Sequence, residues 1–297
     1  MDINTFDKRI KSEAAARKYL LGFCWKNHQR LCPRCESRKN YRLAQGRRRC
    51  PRCGYTFHDF SRRFINSGNL SCLQWLWLIK LFELDVPPQL AAQQLDLANN
   101  TVAKALNSLR RAILAHALDG PQLIDAGLLS PEPAVPDPSQ GSASATFPLV
   151  FGVLERGGWV FVDLASDLTP ASIDFFKSNF SLKTARHANI VYTDRYQHYD
   201  ALLYCAPPSL PTAHPHKDRG LYIDAKRGFW SFAKERIRRT RGLSPKWFPF
   251  HLKELEFRYN LRGKPLFEDL VRRICAFVPE RAREAEKGID DVPSLLT

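Results

Sequence analysis

Four of the eight cysteines stand in two Cys-Pro-Arg-Cys pairs, Cys32/Cys35 and Cys50/Cys53, separated by the 14 residues ESRKNYRLAQGRRR. A Cys-x-x-Cys knuckle sets two sulfurs on one side of an ion, and two knuckles joined by a short hairpin complete the tetrahedral shell that zinc prefers. The spacing is that of a zinc ribbon. Gly54 follows the second pair, where a knuckle turn needs positive φ. His58 is close enough in sequence to compete, but four thiolates already fill the shell. A redox pair would be single and placed before a helix. Structural disulfides do not suit the reducing compartment expected for this chain. Cys24, Cys72, Cys205 and Cys275 are scattered and read as small buried hydrophobes.

The residues around the knuckles are cationic. Arg38, Lys39, Arg42, Arg47, Arg48 and Arg49 lie between the pairs, Arg52, Arg62 and Arg63 follow, and Tyr41, Tyr55 and Phe57 are interleaved. A metal-stapled hairpin displaying guanidinium groups is suited to touch phosphates. Residues 1–120 hold 21 Lys and Arg against 9 Asp and Glu, so +12 of the net +15 lies in that part. A polyanion-binding head on a nearly neutral body follows from that asymmetry.

A second kind of chemistry points to Asp194. The apolar run IVYT predicts a buried strand that delivers Asp194 at its end, where metal or substrate binds in α/β folds. Phosphoryl transfer on DNA uses two divalent ions about 4 Å apart, bridged by carboxylates from separate segments.

Both sets of residues need elements to position them. SCLQWLWLIKLFEL, from Ser71 to Leu84, has the length and apolarity of a helix that Pro87 and Pro88 end. PQLAAQQL then predicts a short helix, DLA a turn, and NNTVAKALNSLRRAILAHAL a longer helix with Asn99 or Asn100 as N-cap. Val102, Leu106, Leu109 and Ile113 mark its apolar face, while Lys104, Arg110 and Arg111 lie elsewhere on the cylinder. This is the helix-turn-helix pattern, with the second helix as reader of DNA. Residues 130–146 hold four prolines among small residues and predict a loop. Beyond them, two strand-like runs flank Arg156-Gly157-Gly158 as a hairpin, and TPASIDFFKSNF predicts a helix. KRGFWSFAKERIRRTRGL and PFHLKELEFRYNLR predict amphipathic basic helices, completing an α/β unit with a mixed sheet.

The assembled order resembles the bacterial zinc-ribbon insertion-sequence transposases of the ISXO-like group, whose catalytic domain carries an acidic triad. The matching stretches are CPRC…CPRCGYTF, FGVLERGG, VYTDRYQHYDAL, GFWSFAKERIRRTRGL and LKELEFRYNLR, spread over most of residues 20–270 in family order. The resemblance implies a ribonuclease-H-like core that nicks element ends and joins the freed 3′-hydroxyl to target DNA, with magnesium or manganese as cofactor. Asp194 matches the second catalytic aspartate. Asp125 is offered for the first, on an opening strand ahead of FGVLERGG, with Asp163 as fallback. For the third, the family tends to carry Glu two residues before Phe-Trp, where this chain has Arg227 before Phe229-Trp230, and Asp224 at the head of the same helix substitutes. Either the chain is an active enzyme using Asp125, Asp194 and Asp224, or it is a degenerate relative that only binds DNA. A transcription regulator with a sensor domain would need a ligand pocket, and no sequence feature displays one.

The resulting organisation is an N-terminal helix and zinc ribbon over 1–66, a helix-turn-helix domain over 67–120, a core over 121–275 and a polar tail over 276–297. Arg236, Arg238 and Arg239 at the end of the Phe-Trp helix are further candidate backbone contacts for double-stranded DNA. Bringing two element ends together predicts a homodimer or larger assembly on DNA. Charges alternate in sign over the first residues where an apolar leader would sit, and Lys80, Glu83 and Asp85 interrupt the richest apolar run, so a cytoplasmic, nucleoid-associated protein without a membrane span is expected.

Overall fold

The computed structural model describes residues 2–125, 150–156, 159–165, 182–184, 190–193, 200–205, 229, 232–233, 235–236 and 247–279. The loop at 130–146, the helix over TPASIDFFKSNF, Asp194, Asp224, Arg227, Arg238 and Arg239 lie outside them. By internal contacts the chain forms two compact units, one of Met1–His116 with Gly263–Glu280 and one built around Ala117–Arg262. The ribbon and the helices after it, expected as separate domains, thus share one unit. That unit also takes back residues 263–280, which the sequence assigned to the core and the tail.

The first unit begins with α1 (Ile3–Arg9) and α2 (Glu13–Cys24). Ser12 caps α2 by accepting from the Ala15 N–H, and Ala16, Leu20 and Cys24, spaced by four, form its buried stripe. Three two-residue strands follow, β1 (Tyr41–Arg42), β2 (Arg48–Arg49) and β3 (Thr56–Phe57), paired antiparallel in that order. Helix α3 (Cys72–Glu83) opens with a reciprocal capping box between Ser71 and Gln74, and Glu13 of α2 accepts from the N–H groups of Cys72 and Leu73, both at 2.9 Å.

Two further helices, α4 (Pro88–Leu95) and α5 (Asn99–Ala115), sit where their sequences predict. The cap differs from expectation. Asp96 adopts a left-handed conformation (φ 50°) and the Leu97 N–H returns to the Ala92 carbonyl, closing α4 at Leu95. Ala98 therefore takes the N-cap position, and Asn99 and Asn100 fall inside the first turn. After the second unit, α8 (Phe267–Ile274) closes the core with buried Phe267, Leu270, Val271 and Ile274. Phe6 lies edge-on to both Trp77 (4.6 Å) and Phe267 (5.3 Å), tying the first and last helices together.

The second unit opens with a short helix, α6 (Gly120–Asp125). Asp125, expected on an opening strand, is the last residue of that helix and precedes the first strand of the sheet by 25 residues. The strands are β4 (Val150–Arg156), β5 (Trp159–Ala165), β6 (Leu182–Thr184), β7 (Ile190–Thr193) and β8 (Asp200–Cys205), in the order β5-β4-β8-β7-β6. Among the described residues all four pairings are antiparallel, which corrects the expected mixed sheet there. Only six residues separate Thr193 from Asp200, too few for the crossover that parallel neighbours need.

Helix α7 (Phe248–Asn260) lies on edge strand β5 and substitutes for a missing strand. Asn260 accepts from the Val160 N–H (2.7 Å) and donates to the Val160 carbonyl (2.6 Å). Two residues along the strand, Glu256 accepts from the Val162 N–H (2.7 Å) and Lys253 donates to the Val162 carbonyl. Side chains at helical spacing thereby satisfy backbone groups at strand spacing. Lys253 is fully buried and also reaches Asp119 (2.7 Å) and Glu256 (2.9 Å). This helix is not the amphipathic basic helix expected, since Leu252 through Tyr259 are all buried. Phe229 and Phe232 of the Phe-Trp segment meet Tyr259 edge-on, both at 5.4 Å.

Candidate metal centre and nucleic-acid interface

The two knuckles are built alike. Cys32 and Cys50 donate their N–H groups to the carbonyls five residues on, Ser37 and Tyr55, both at 2.9 Å. Their own carbonyls accept from Glu36 (2.8 Å) and Gly54 (2.9 Å), each with positive φ, 57° and 70°. Gly54 fits such a turn, whereas Glu36 carries the cost of a side chain in the left-handed region. The four thiols lie within 4.8 Å of one another, with Cys32 to Cys53 at 3.6 Å and Cys35 to Cys50 at 3.5 Å. A tetrahedral zinc at about 2.3 Å from each sulfur sets them about 3.8 Å apart, so the donor set fits that ion.

Electrostatics agree with a shared cation. Burial works against an ionised Cys50, but N–H groups of Cys53 and Arg52 and the Cys35 thiol outweigh it and bring the thiol down to about 6. The Ser37 N–H favours the Cys35 thiolate, yet burial and the three neighbouring thiols push Cys35 up to about 12. Thiols this close do not all ionise without a cation between them. His58 stays outside the cluster, and its Nδ1 accepts from the Phe60 N–H at 3.2 Å.

The basic residues divide into two groups. Arg38, Lys39, Arg42, Arg47, Arg49 and Arg52 are exposed, and none takes part in a salt bridge found among the described residues. Arg48 is half-buried, donating to Asn40 (2.9 Å) and lying 3.8 Å from Asp59. Arg17 (2.6 Å) and Arg30 (3.4 Å) meet the same buried Asp59 carboxylate. Arg62 donates to the Pro33 carbonyl (3.0 Å) beneath the knuckle, and Arg63 is buried between Trp25 and Phe277 with its fork on the carbonyls of Cys24 and Cys275. Those two carbonyls end α2 and α8, where a cation completes the helix. Asp59 is the residue that motif reading missed. Its signal in the sequence is that no other carboxylate stands between Glu36 and Glu83.

On α5 the exposed positions are Asn99, Asn100, Ala103 and Lys104. Arg110, a candidate base reader, is only 7% exposed and donates to Asn107 (3.1 Å), because its position falls on the buried side of the helix. Arg111 is half-buried. Arg236 lies over the Phe232 ring at 3.7 Å. Of the candidate carboxylates, Asp194 follows the last residue of β7 directly, Asp163 is on β5 opposite Gly152, and Asp125 ends α6. The described residues bring no carboxylates together as a metal site, and no helix among them is long and apolar enough to cross a membrane.

Two family models match the chain in order. The transposase zinc-ribbon domain matches residues 11–56, and the ISXO2-like transposase domain matches residues 137–260. Neither the curated proteins nor the solved structures yielded a match. The ribbon match spans all four thiols of the metal cluster, so the cluster is the ribbon's structural zinc centre. With both domains present in sequence, ribbon first, the chain belongs to the IS1595 family of transposases.

Proposed function

We propose that the chain is a DNA transposase that binds insertion-sequence ends and carries out metal-dependent strand nicking, then transfers the 3′-hydroxyl to target DNA. The observation that carries the proposal is the union of an ISXO2-like domain with a zinc-stapled ribbon whose outer cations face solvent. The ribbon supplies phosphate contacts, and α4 and α5 act as a helix-turn-helix that presents Asn99, Asn100 and Lys104 to base edges. Asp194, Asp224 and Asp125 would hold magnesium or manganese, one ion activating the attacking oxygen and the other stabilising the leaving 3′ oxygen. The ribonuclease-H-like descent of the sheet unit rests on the family match rather than on strand direction. Double-stranded DNA is the partner, and pairing two ends requires at least a dimer.

Arg227 favours a second reading. It stands where the family tends to carry Glu, and a guanidinium does not ligate magnesium, so a chain that only binds DNA would keep the ribbon and lose the chemistry. Manganese calorimetry on zinc-loaded protein with duplex present separates the two. Binding that Asp194→Asn and Asp224→Asn each abolish supports the active enzyme, and no binding by the wild type supports the degenerate one. The ribbon is tested apart from this by chelation, which should weaken duplex binding. Unchanged affinity after zinc removal overturns its role.

A further inference from the structure

Strand register sorts the hairpin's side chains onto two faces. Tyr41 is paired with Arg49 and Arg49 with Thr56, so these three share one face, while Arg42, Arg48 and Phe57 share the other. The second face is turned into the protein at Phe57, which is 2% exposed, and at Arg48, which Asn40 and Asp59 hold, while Arg42 on edge strand β1 stays exposed. The first face looks out. Tyr41 is 64% exposed, and Arg49 and Thr56 are exposed beside it. Strand β1 is also the sheet's edge, so nothing in the sheet flanks Tyr41 on its outer side.

We infer that the β1–β2 hairpin is a major-groove reader, with Tyr41 and Arg49 meeting base edges and Arg42 and Arg47 meeting the flanking phosphates. The inference rests on the ribbon being a DNA-binding element and adds which side chains carry sequence information. Two strands about 4.8 Å apart with their side chains fit a groove about 12 Å wide, the space that admits a β-ribbon. Residues 37–49 contain no carboxylate, so the face has no charge that duplex DNA would repel. An arginine on the base-facing side makes the fork contact to guanine O6 and N7 that discriminates best, and a tyrosine offers a ring for a thymine methyl and a hydroxyl for a base acceptor. Arg48 takes no part, because the tie to Asp59 directs it away from that face.

The test uses the full-length zinc-loaded protein and a selection from a randomised duplex library. The readouts are the ratio of affinities for the selected and a scrambled duplex, and the dependence of affinity on salt. Arg49→Lys keeps the charge and loses the fork, and Tyr41→Ala changes no charge. Both should lower the ratio by about 10-fold or more with an unchanged salt slope. Interference by guanine N7 methylation, present for the wild type, should vanish at one position for Arg49→Lys. Arg42→Ala and Arg47→Ala should leave the ratio alone and each reduce the slope by about one. A ratio unchanged in both Tyr41→Ala and Arg49→Lys overturns the inference, as does a loss of self-association in those variants with the selected motif intact. Failure of the wild type to bind any duplex overturns instead the reading beneath it. Equal zinc content across the set shows that each variant retains the folded ribbon.

Discussion

Three arginines distant in sequence, Arg17, Arg30 and Arg48, converge on one buried carboxylate at Asp59. Each is partly exposed, so solvent screens the attraction, but the carboxylate is what lets them approach one another. Asp59→Asn should therefore destabilise the protein by about 1–3 kcal/mol, seen as a lower melting temperature with zinc still bound. Loss of zinc without loss of stability would contradict this. Residue chemistry was legible where it is local, because four thiolates at knuckle spacing declare a metal whatever surrounds them. Arginine roles were not. Arg48, Arg62, Arg63 and Arg110 read as DNA contacts from composition, yet the first three meet a distant carboxylate, a knuckle carbonyl and two helix ends, and Arg110 falls on a face that only tertiary packing buries.

Helix ends carry much of the first unit's cohesion. Glu13 caps α3, and Glu83 of α3 in turn caps α8, accepting from Leu266 (2.8 Å) and Phe267 (2.9 Å) while Lys80 holds its other oxygen at 2.6 Å. Burial raises the Glu13 carboxyl, but the N–H groups of Leu73 and Cys72 outweigh it and leave the group below its ordinary value of 4.5. Its contribution is thus complete above about pH 4.5 and fades as pH falls through the folded-state value. Glu13→Gln should cost at most about 1 kcal/mol at pH 7 and nothing near pH 2, by urea melts at both. A cost that grew with acid would contradict the sign. In the second unit, Asn260→Ala strips partners from the N–H and carbonyl of buried Val160 and should destabilise by about 2–4 kcal/mol. Asn260→Asp should do no better, since a carboxylate cannot donate to the carbonyl. Helices α3, α4 and α5 were legible from apolar periodicity and Pro87-Pro88, and β7 from IVYT. Strand β8 was not, because Asp200-Ala-Leu-Leu-Tyr-Cys carries no β-branched residue, and strand order depends on partners far along the chain.

At the scale of the molecule, the proposed function makes charge the main term in meeting DNA. Six exposed ribbon cations, with Lys104 on α5, predict a salt slope of roughly −6 for duplex binding, and so about a 10³–10⁴-fold loss of affinity between 50 and 200 mM salt. Arg110→Ala should leave that slope unchanged while lowering stability, because its side chain is buried. A flat salt dependence would rule out phosphate contacts as the main source of affinity. The chain's division into units has a further consequence, for synthesis. The first unit needs α8 for its core and Arg63 needs the Cys275 carbonyl, so residues 1–116 leave the ribosome without the segment that completes them. Translation at about 5–20 residues per second holds that state for on the order of ten seconds while the second unit is made. The first unit therefore completes its core only after residues 263–280 have been made, and under the proposed function a nascent chain reaches full affinity for DNA no earlier than that.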